Sequence, residues 1–163
     1  MRIRSLRRAP VAPESDAPER GGAVRIVEVD LSRLDVIRDL NVRIFEEERV
    51  INTFDRDDLL ILLAYVDDEP AGFKIGYREN RFTFYSAKGG VLPEFRRRGL
   101  ARRMLYDMMA LVRERGYTRF AYDTFPNRNP GMAILGLNEG FRVVKADFNT
   151  VYRDYRLRFE KKL

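Results

Sequence analysis

The sequence predicts one α/β domain built on a mixed, mostly antiparallel sheet with helices on both faces. Three observations carry that prediction. Three apolar stretches, "DDLLILLAYV", "AGFKIGY" and "FTFYSAKGGVL", follow one another across two short polar turns, Asp67–Pro70 and Arg78–Asn80. Strands joined by tight turns pair antiparallel. The following segment, Gly99 to Arg115, places Ala101, Met104, Leu105, Met108 and Val112 on one helical stripe and leads into "RFAYDTF". A strand–helix–strand passage sets its two strands parallel. Finally, 163 residues suit a single compact core.

Taken in order, residues 1–22 are rich in Arg, Pro, Ala and Gly and are expected to form a flexible basic tail. The folded domain is expected over residues 23–163. "AVRIVEV" (Ala23–Val29) alternates as a strand does. Asp30 and Ser32 offer caps for a helix through about Val50, with Leu34, Ile37, Leu40, Ile44 and Phe45 on its apolar face. A short helix or loop precedes the meander. Gly89–Gly90, late in the third strand, suggests a bulge or a close backbone approach. Gly116 stops the long helix. "NPGMAILGLNEGF" is a short helix with Pro130 early and Gly140 at its end. "RVVKADF" and "VYRDYRLRFEKKL" close the chain as a hairpin. The order is β-α-(α)-β-β-β-α-β-α-β-β, with no internal repeat.

Composition excludes several chemistries. There is no cysteine and no histidine. A disulfide framework, a thiol nucleophile, imidazole catalysis and the commonest metal ligands are therefore absent, and no metal is expected. Proton transfer falls to Asp, Glu, Tyr, Lys, a terminus or ordered water. The net charge of +6 favours anionic ligands without identifying them. No apolar run reaches the roughly 20 residues that span a bilayer, and the basic N-terminus lacks a signal peptide's apolar region. No membrane association is expected, and the expected compartment is the cytoplasm.

The most informative stretch is "VLPEFRRRGLARRML", Val91 to Leu105. A strand that turns directly into a helix leaves unpaired N–H groups at the helix start, with a partial positive charge. A glycine there admits a ligand to the main chain, and arginines add charge-assisted donors. The residues alone leave three readings open: a solvated helix start, a small-anion or phosphate cradle, and a nucleic-acid patch. The spacing is neither a P-loop nor GxGxxG.

The same stretch resembles motif A of the GNAT superfamily of acyl-CoA N-acyltransferases, Val-x-Pro-x-x-[Gln/Arg]-x-x-Gly-x-[Gly/Ala], at Val91, Pro93, Arg96, Gly99 and Ala101. Asn129, Met132, Leu135, Gly140 and Phe141 are similar to its motif B. The resemblance covers roughly residues 23–163. It implies the GNAT fold, with middle strands that splay apart where the cofactor lies. It also implies N-acetyltransferase activity with acetyl-CoA as co-substrate and transfer to an amine without a covalent intermediate. By the same analogy, main-chain atoms at Gly89, Gly90, Val91 and Leu92 pair with the pantetheine arm. An N–H at Val91 or Leu92 polarises the thioester. The run Arg96, Arg97, Arg98, Gly99, Leu100, Ala101 and Arg102 holds the pyrophosphate. Asn129 either bonds the cofactor arm or caps the following helix.

Two positions depart from the family pattern. Many members carry a general-acid Tyr seven residues after the motif B Asn; here it is Gly136. Some carry a Glu base five residues before that Asn; here it is Thr124, with Asp123 turned to the other face by strand alternation. Candidate catalytic residues are then Glu46 and Glu48, as base or amine attractor in "EEERVINTFDRDD", together with Tyr85 and Thr124; Tyr152 and Tyr155 are weaker. The leading expectation is acetyl transfer to a primary amine of a small molecule or peptide. Aminoacyl-tRNA acylation, with the tail and "RDYRLRFEKK" on phosphates, and a catalytically silent acyl-CoA-binding module are the alternatives. Nucleic acid is otherwise disfavoured, and a homodimer is expected from the family.

Overall fold

The computed structural model describes residues 22–163, so the expected tail lies outside the described residues except for Gly22. Seven strands and three helices follow one another as β1 (Val24–Val29), α1 (Leu34–Phe45), β2 (Leu60–Val66), β3 (Glu69–Arg78), β4 (Thr83–Val91), α2 (Leu100–Glu114), β5 (Arg119–Thr124), α3 (Pro130–Asn138), β6 (Arg142–Asn149) and β7 (Asp154–Lys162). They form one sheet in the order β1-β2-β3-β4-β5-β7-β6, in which β4–β5 is the single parallel pair. The bracketed second helix does not form. α1 also stops earlier than its periodicity suggests. Glu46 takes a left-handed conformation (φ 56), and the Asn41 Nδ2 amide donates to the Glu47 carbonyl, turning the chain so that Val50 and Ile51 go into the core.

Both faces of the sheet are covered, which explains why β2 reads as an unbroken apolar run. α1 lies over Phe73 and Ile75 of β3. α2 lies over the opposite face, with Met108 and Val112 against Leu60, Leu62 and Phe84, and α3 shares that side with Tyr122 and Phe159.

One irregularity positions the site. Ile75 pairs with Lys88 and Gly76 with Ser86, so Ala87 is an extra residue in β4. A bulge bends its strand and raises local twist. The β4–β5 ladder joins Thr83–Ser86 to Arg119–Tyr122 and ends there, although β4 runs on to Val91 and β5 to Thr124. The two strands part just where the bulge sits. Gly90 meets the expected close approach: a Cβ there would lie 2.8 Å from Ile44 and 3.0 Å from the Phe45 ring, at the end of α1. Among the described residues no helix is long and apolar enough to cross a bilayer.

Candidate active site at the splayed strands

The turn into α2 builds an anion cradle from backbone. Arg97 (φ 61) and Gly99 (φ 75) are both left-handed, and α2 starts at Leu100 with no side chain capping its N–H groups. Alternating hands turn successive N–H groups toward one point. The Arg103 N–H already donates to the Gly99 carbonyl, so the uncommitted donors lie before it. A Cβ on Gly99 would meet nothing within 4 Å, so this mouth is open. The arginines divide by role. Arg96 turns back, its Nε donating to the Val91 carbonyl (3.0 Å). Arg98 stacks on Phe95, and Arg102 pairs with Glu139 (2.7 Å). Arg97 makes no ion pair among the described residues.

Along β4, backbone groups alternate between its two edges. The Leu92 N–H donates to the Ala71 carbonyl on the β3 side (2.8 Å). Alternation then turns Gly90 toward β3, and Gly89 and Val91 toward the open edge. Of the two expected thioester donors, Leu92 is thus already engaged and Val91 is free, with Gly89 beside it. Such an unpaired edge accepts an extended amide chain as it would a strand.

Two cavities meet at this gap. One, about 620 Å³, runs from the cradle through Gly89–Val91 to Asn129, Gly131 and Leu135. The other, about 530 Å³, lies between the segment after α1 and the β6–β7 hairpin and is lined from both faces of the sheet. Phe45, Gly89, Arg128, Asn129 and Met132 line both. Asn129 precedes α3, yet its side chain makes no capping bond and remains available to the gap.

The second cavity gathers some of the expected catalytic residues and omits others. Tyr85, Thr124 and Tyr152 line it. Glu46, Glu48 and Tyr155 do not; Glu47 does, and it is tied to Lys88 (3.1 Å). The Tyr85 hydroxyl donates to Asp123 Oδ2 (2.7 Å), and burial together with that carboxylate pushes the phenol well above its ordinary range. The arginines of the last strand are internally committed: Arg156 pairs with Asp147 (2.8 Å), and Arg158 with Glu79 and Glu160.

Gly136 has a steric reason. A Cβ on it would overlap the Tyr122 hydroxyl, which donates to the Met132 carbonyl (2.9 Å). Tyr122 is stacked on Phe159 and buried, which raises its phenol above the usual range. A phenol from β5 therefore fills the space that a side chain from α3 would enter.

Sequence reasoning passed over Lys74. It lies on β3 between Gly72 and Gly76 on the α2 face, is 6% exposed, and lines the second cavity. It pairs across with Gly89, on which its stem rests: a Cβ on Gly89 would sit 3.2 Å from Lys74 Cγ. It makes no hydrogen bond or ion pair with the described residues. Among the described residues Asn41 Oδ1 is the one wholly buried side-chain polar atom without a partner, so the Lys74 amine is not fully sealed from the cavity its residue lines. Burial alone lowers its pKa to about 8. The available signal was a lysine flanked by two same-face glycines within an apolar strand.

Comparison with known proteins agrees with this architecture. Residues 25–124 match the family model described as "Acetyltransferase (GNAT) domain". No curated protein matches the chain. Among solved structures, the ribosomal-protein-S18-alanine N-acetyltransferase of Escherichia coli is similar at TM-score 0.74 and 16% identity, over 86% of this chain and 94% of that one. A GNAT family acetyltransferase from Elizabethkingia anophelis, solved with acetyl-CoA bound, gives 0.74 and 16%, over 86% and 98%. Arabidopsis thaliana NAA60 in complex with a bisubstrate analogue gives 0.69 and 16%, over 86% and 99%.

Proposed function

The chain belongs to the GNAT acetyltransferase family, and on that premise we propose that it transfers the acetyl group of acetyl-CoA directly to a primary amine of a small molecule or peptide. The observation that carries this reading is the meeting of two cavities at one open strand edge. One cavity has the donors a CoA needs; the other leads a second reactant to the same point.

In this reading the pyrophosphate sits on the uncommitted N–H groups between Arg97 and Arg102, with the Arg97 side chain adding charge. The pantetheine amides pair with Gly89 and Val91, and Asn129 bonds the arm. A free amide N–H on the open edge polarises the thioester carbonyl and holds its oxygen when it becomes an oxyanion, worth roughly 10²–10³ in rate in a dry site. The amine enters through the cavity lined by Tyr85, Asp123 and Thr124. Its nitrogen bonds the carbonyl carbon, the carbon–sulfur bond breaks, the nitrogen loses a proton and the sulfur gains one. Binding both reactants at one edge supplies the proximity for a direct transfer. A small amine or peptide is preferred to an RNA-linked acceptor because Arg156 and Arg158 of β7 are already paired with carboxylates. The expected compartment remains the cytoplasm, and the expected assembly a homodimer, checked by sedimentation; a mass of one chain at all concentrations would refute that assembly.

The test is release of free CoA thiol from acetyl-CoA with a panel of small amines, peptides and aminoacyl-tRNA. Turnover with a small amine or peptide is expected. Acetyl-CoA binding without turnover on any of them sinks the transferase reading and leaves an acyl-CoA-binding module.

A further inference from the structure

We propose that Lys74 is the proton shuttle of the transfer: its amine takes the proton released by the attacking nitrogen and returns it to the departing CoA sulfur. This rests on the reading above, in which the thioester lies against Gly89.

Geometry argues first. Lys74 sits directly across from Gly89, one of the residues that line both cavities and one with a free edge amide. The lysine stem crosses Gly89 where any larger residue would push it away. Lys74 lines the acceptor cavity at the level where the two strands part. A group at that point lies beside the gap through which both ends of the reaction must meet. The acceptor nitrogen arrives from the second cavity and the sulfur leaves toward the first. The two positions at which the resemblance places separate base and acid residues hold Thr124 and Gly136, neither of which titrates in the relevant range.

The balance is complete without another reactant. Neutral Lys74 accepts a proton as the carbon–nitrogen bond forms. The resulting ammonium stabilises the thiolate as the carbon–sulfur bond breaks, then protonates it. Lys74 ends neutral, and the products are the amide and CoA thiol.

The surroundings fit an amine that cycles between two forms. From β2 the facing residue is Leu62, and α2 sets apolar Met104, Leu105 and Met108 over this face. β4 contributes Ser86 and β5 contributes Tyr122 and Thr124, none of them charged. The cavity's carboxylates are committed elsewhere, Glu47 to Lys88 and Asp123 to Tyr85. Arg49, Arg128, Arg156 and Lys88 also line the cavity, and burial is the cause of the lowered Lys74 pKa. With a pKa of about 8, the base form is present at physiological pH and the acid form is strong enough to meet a thiolate.

The experiment compares wild type, Lys74→Met and Lys74→Arg, reading acetyl-CoA affinity by calorimetry and kcat against pH with the best amine of the panel. In wild type, kcat should rise with pH and level above about 8. Both variants should bind acetyl-CoA within about threefold of wild type. Both should lose roughly 10²-fold or more in kcat, and the break near 8 with it. Arg keeps the charge but holds its proton too tightly to shuttle it. Rescue by Lys74→Arg would reduce Lys74 to a fixed charge and overturn the proposal. So would a variant that keeps the wild-type profile, or one that loses acetyl-CoA binding along with rate. A wild type that binds acetyl-CoA but acetylates nothing is a different result: it removes the transferase reading itself, and the shuttle with it.

Discussion

A buried lysine without a partner weakens a fold whenever it carries charge, and Lys74 is in that position at neutral pH. Its folded pKa is about 8 against an ordinary 10.5. Below 8 both folded and unfolded chains are protonated there, and the desolvation penalty is fully present. Between 8 and 10.5 the unfolded chain holds more protons, so stability must rise with pH. Above 10.5 the penalty is gone. The full span corresponds to on the order of 3 kcal/mol. Lys74→Met, similar in length and apolar, should therefore raise the melting temperature by several degrees at pH 7. The gain over wild type should shrink steadily toward pH 10. Thermal unfolding by circular dichroism across that range checks it; a gain that does not depend on pH would show that the lysine is not desolvated as described. Residues that lower stability where a ligand reacts are the ones function retains. Gly136 teaches the complementary lesson. Set against the family pattern it looks like a missing side chain, but in the fold its place is taken by the Tyr122 hydroxyl.

Among the elements, what was legible followed from local chemistry. The meander came from turn residues at Asp67–Pro70 and Arg78–Asn80, and the long helix from the 3.6-residue stripe that ends at Val112. The cradle came from glycine and arginine spacing, and its left-handed residues are Arg97 and Gly99. The remainder depended on contacts between elements. Gly89–Gly90 suggested a bulge or a close approach. The bulge is two residues earlier, at Ala87, while Gly90 is small because α1 ends upon it. Nothing in the residue Ala87 announces a bulge; register against β3 creates it. The end of α1 is not visible in the periodicity because Asn41 reaches forward to the Glu47 carbonyl, a side-chain bond to the backbone six residues on that competes with the helix. Lys74 was visible as the polar member of an alternating strand. In a half-exposed strand that position faces water, but this sheet is covered on both faces, and the lysine goes inside.

For the molecule as a whole, the cradle at one end of α2 should be coupled to global stability through the ligand it holds. A ligand that binds only the folded chain stabilises it by about 2.7 kcal/mol at a hundred times its Kd, which for a domain of this size raises the melting temperature by several degrees. Acetyl-CoA should produce such a shift, and raised salt should reduce it, because the phosphate contacts are exposed and screened. Gly99→Glu places a carboxylate where the uncommitted N–H groups converge and should abolish the shift. That variant also puts a side chain on a left-handed residue, which by itself costs roughly 1 kcal/mol. Gly116→Glu is the matched control. It too is left-handed (φ 92), with nothing within 4 Å of its Cβ, and it lies at the far end of the same helix. Both variants should melt lower than wild type when unliganded, by similar amounts. Only Gly116→Glu should regain stability on adding acetyl-CoA. If Gly99→Glu shifts as wild type does, the pyrophosphate does not rest on this turn, and the cofactor must enter the splay from another side.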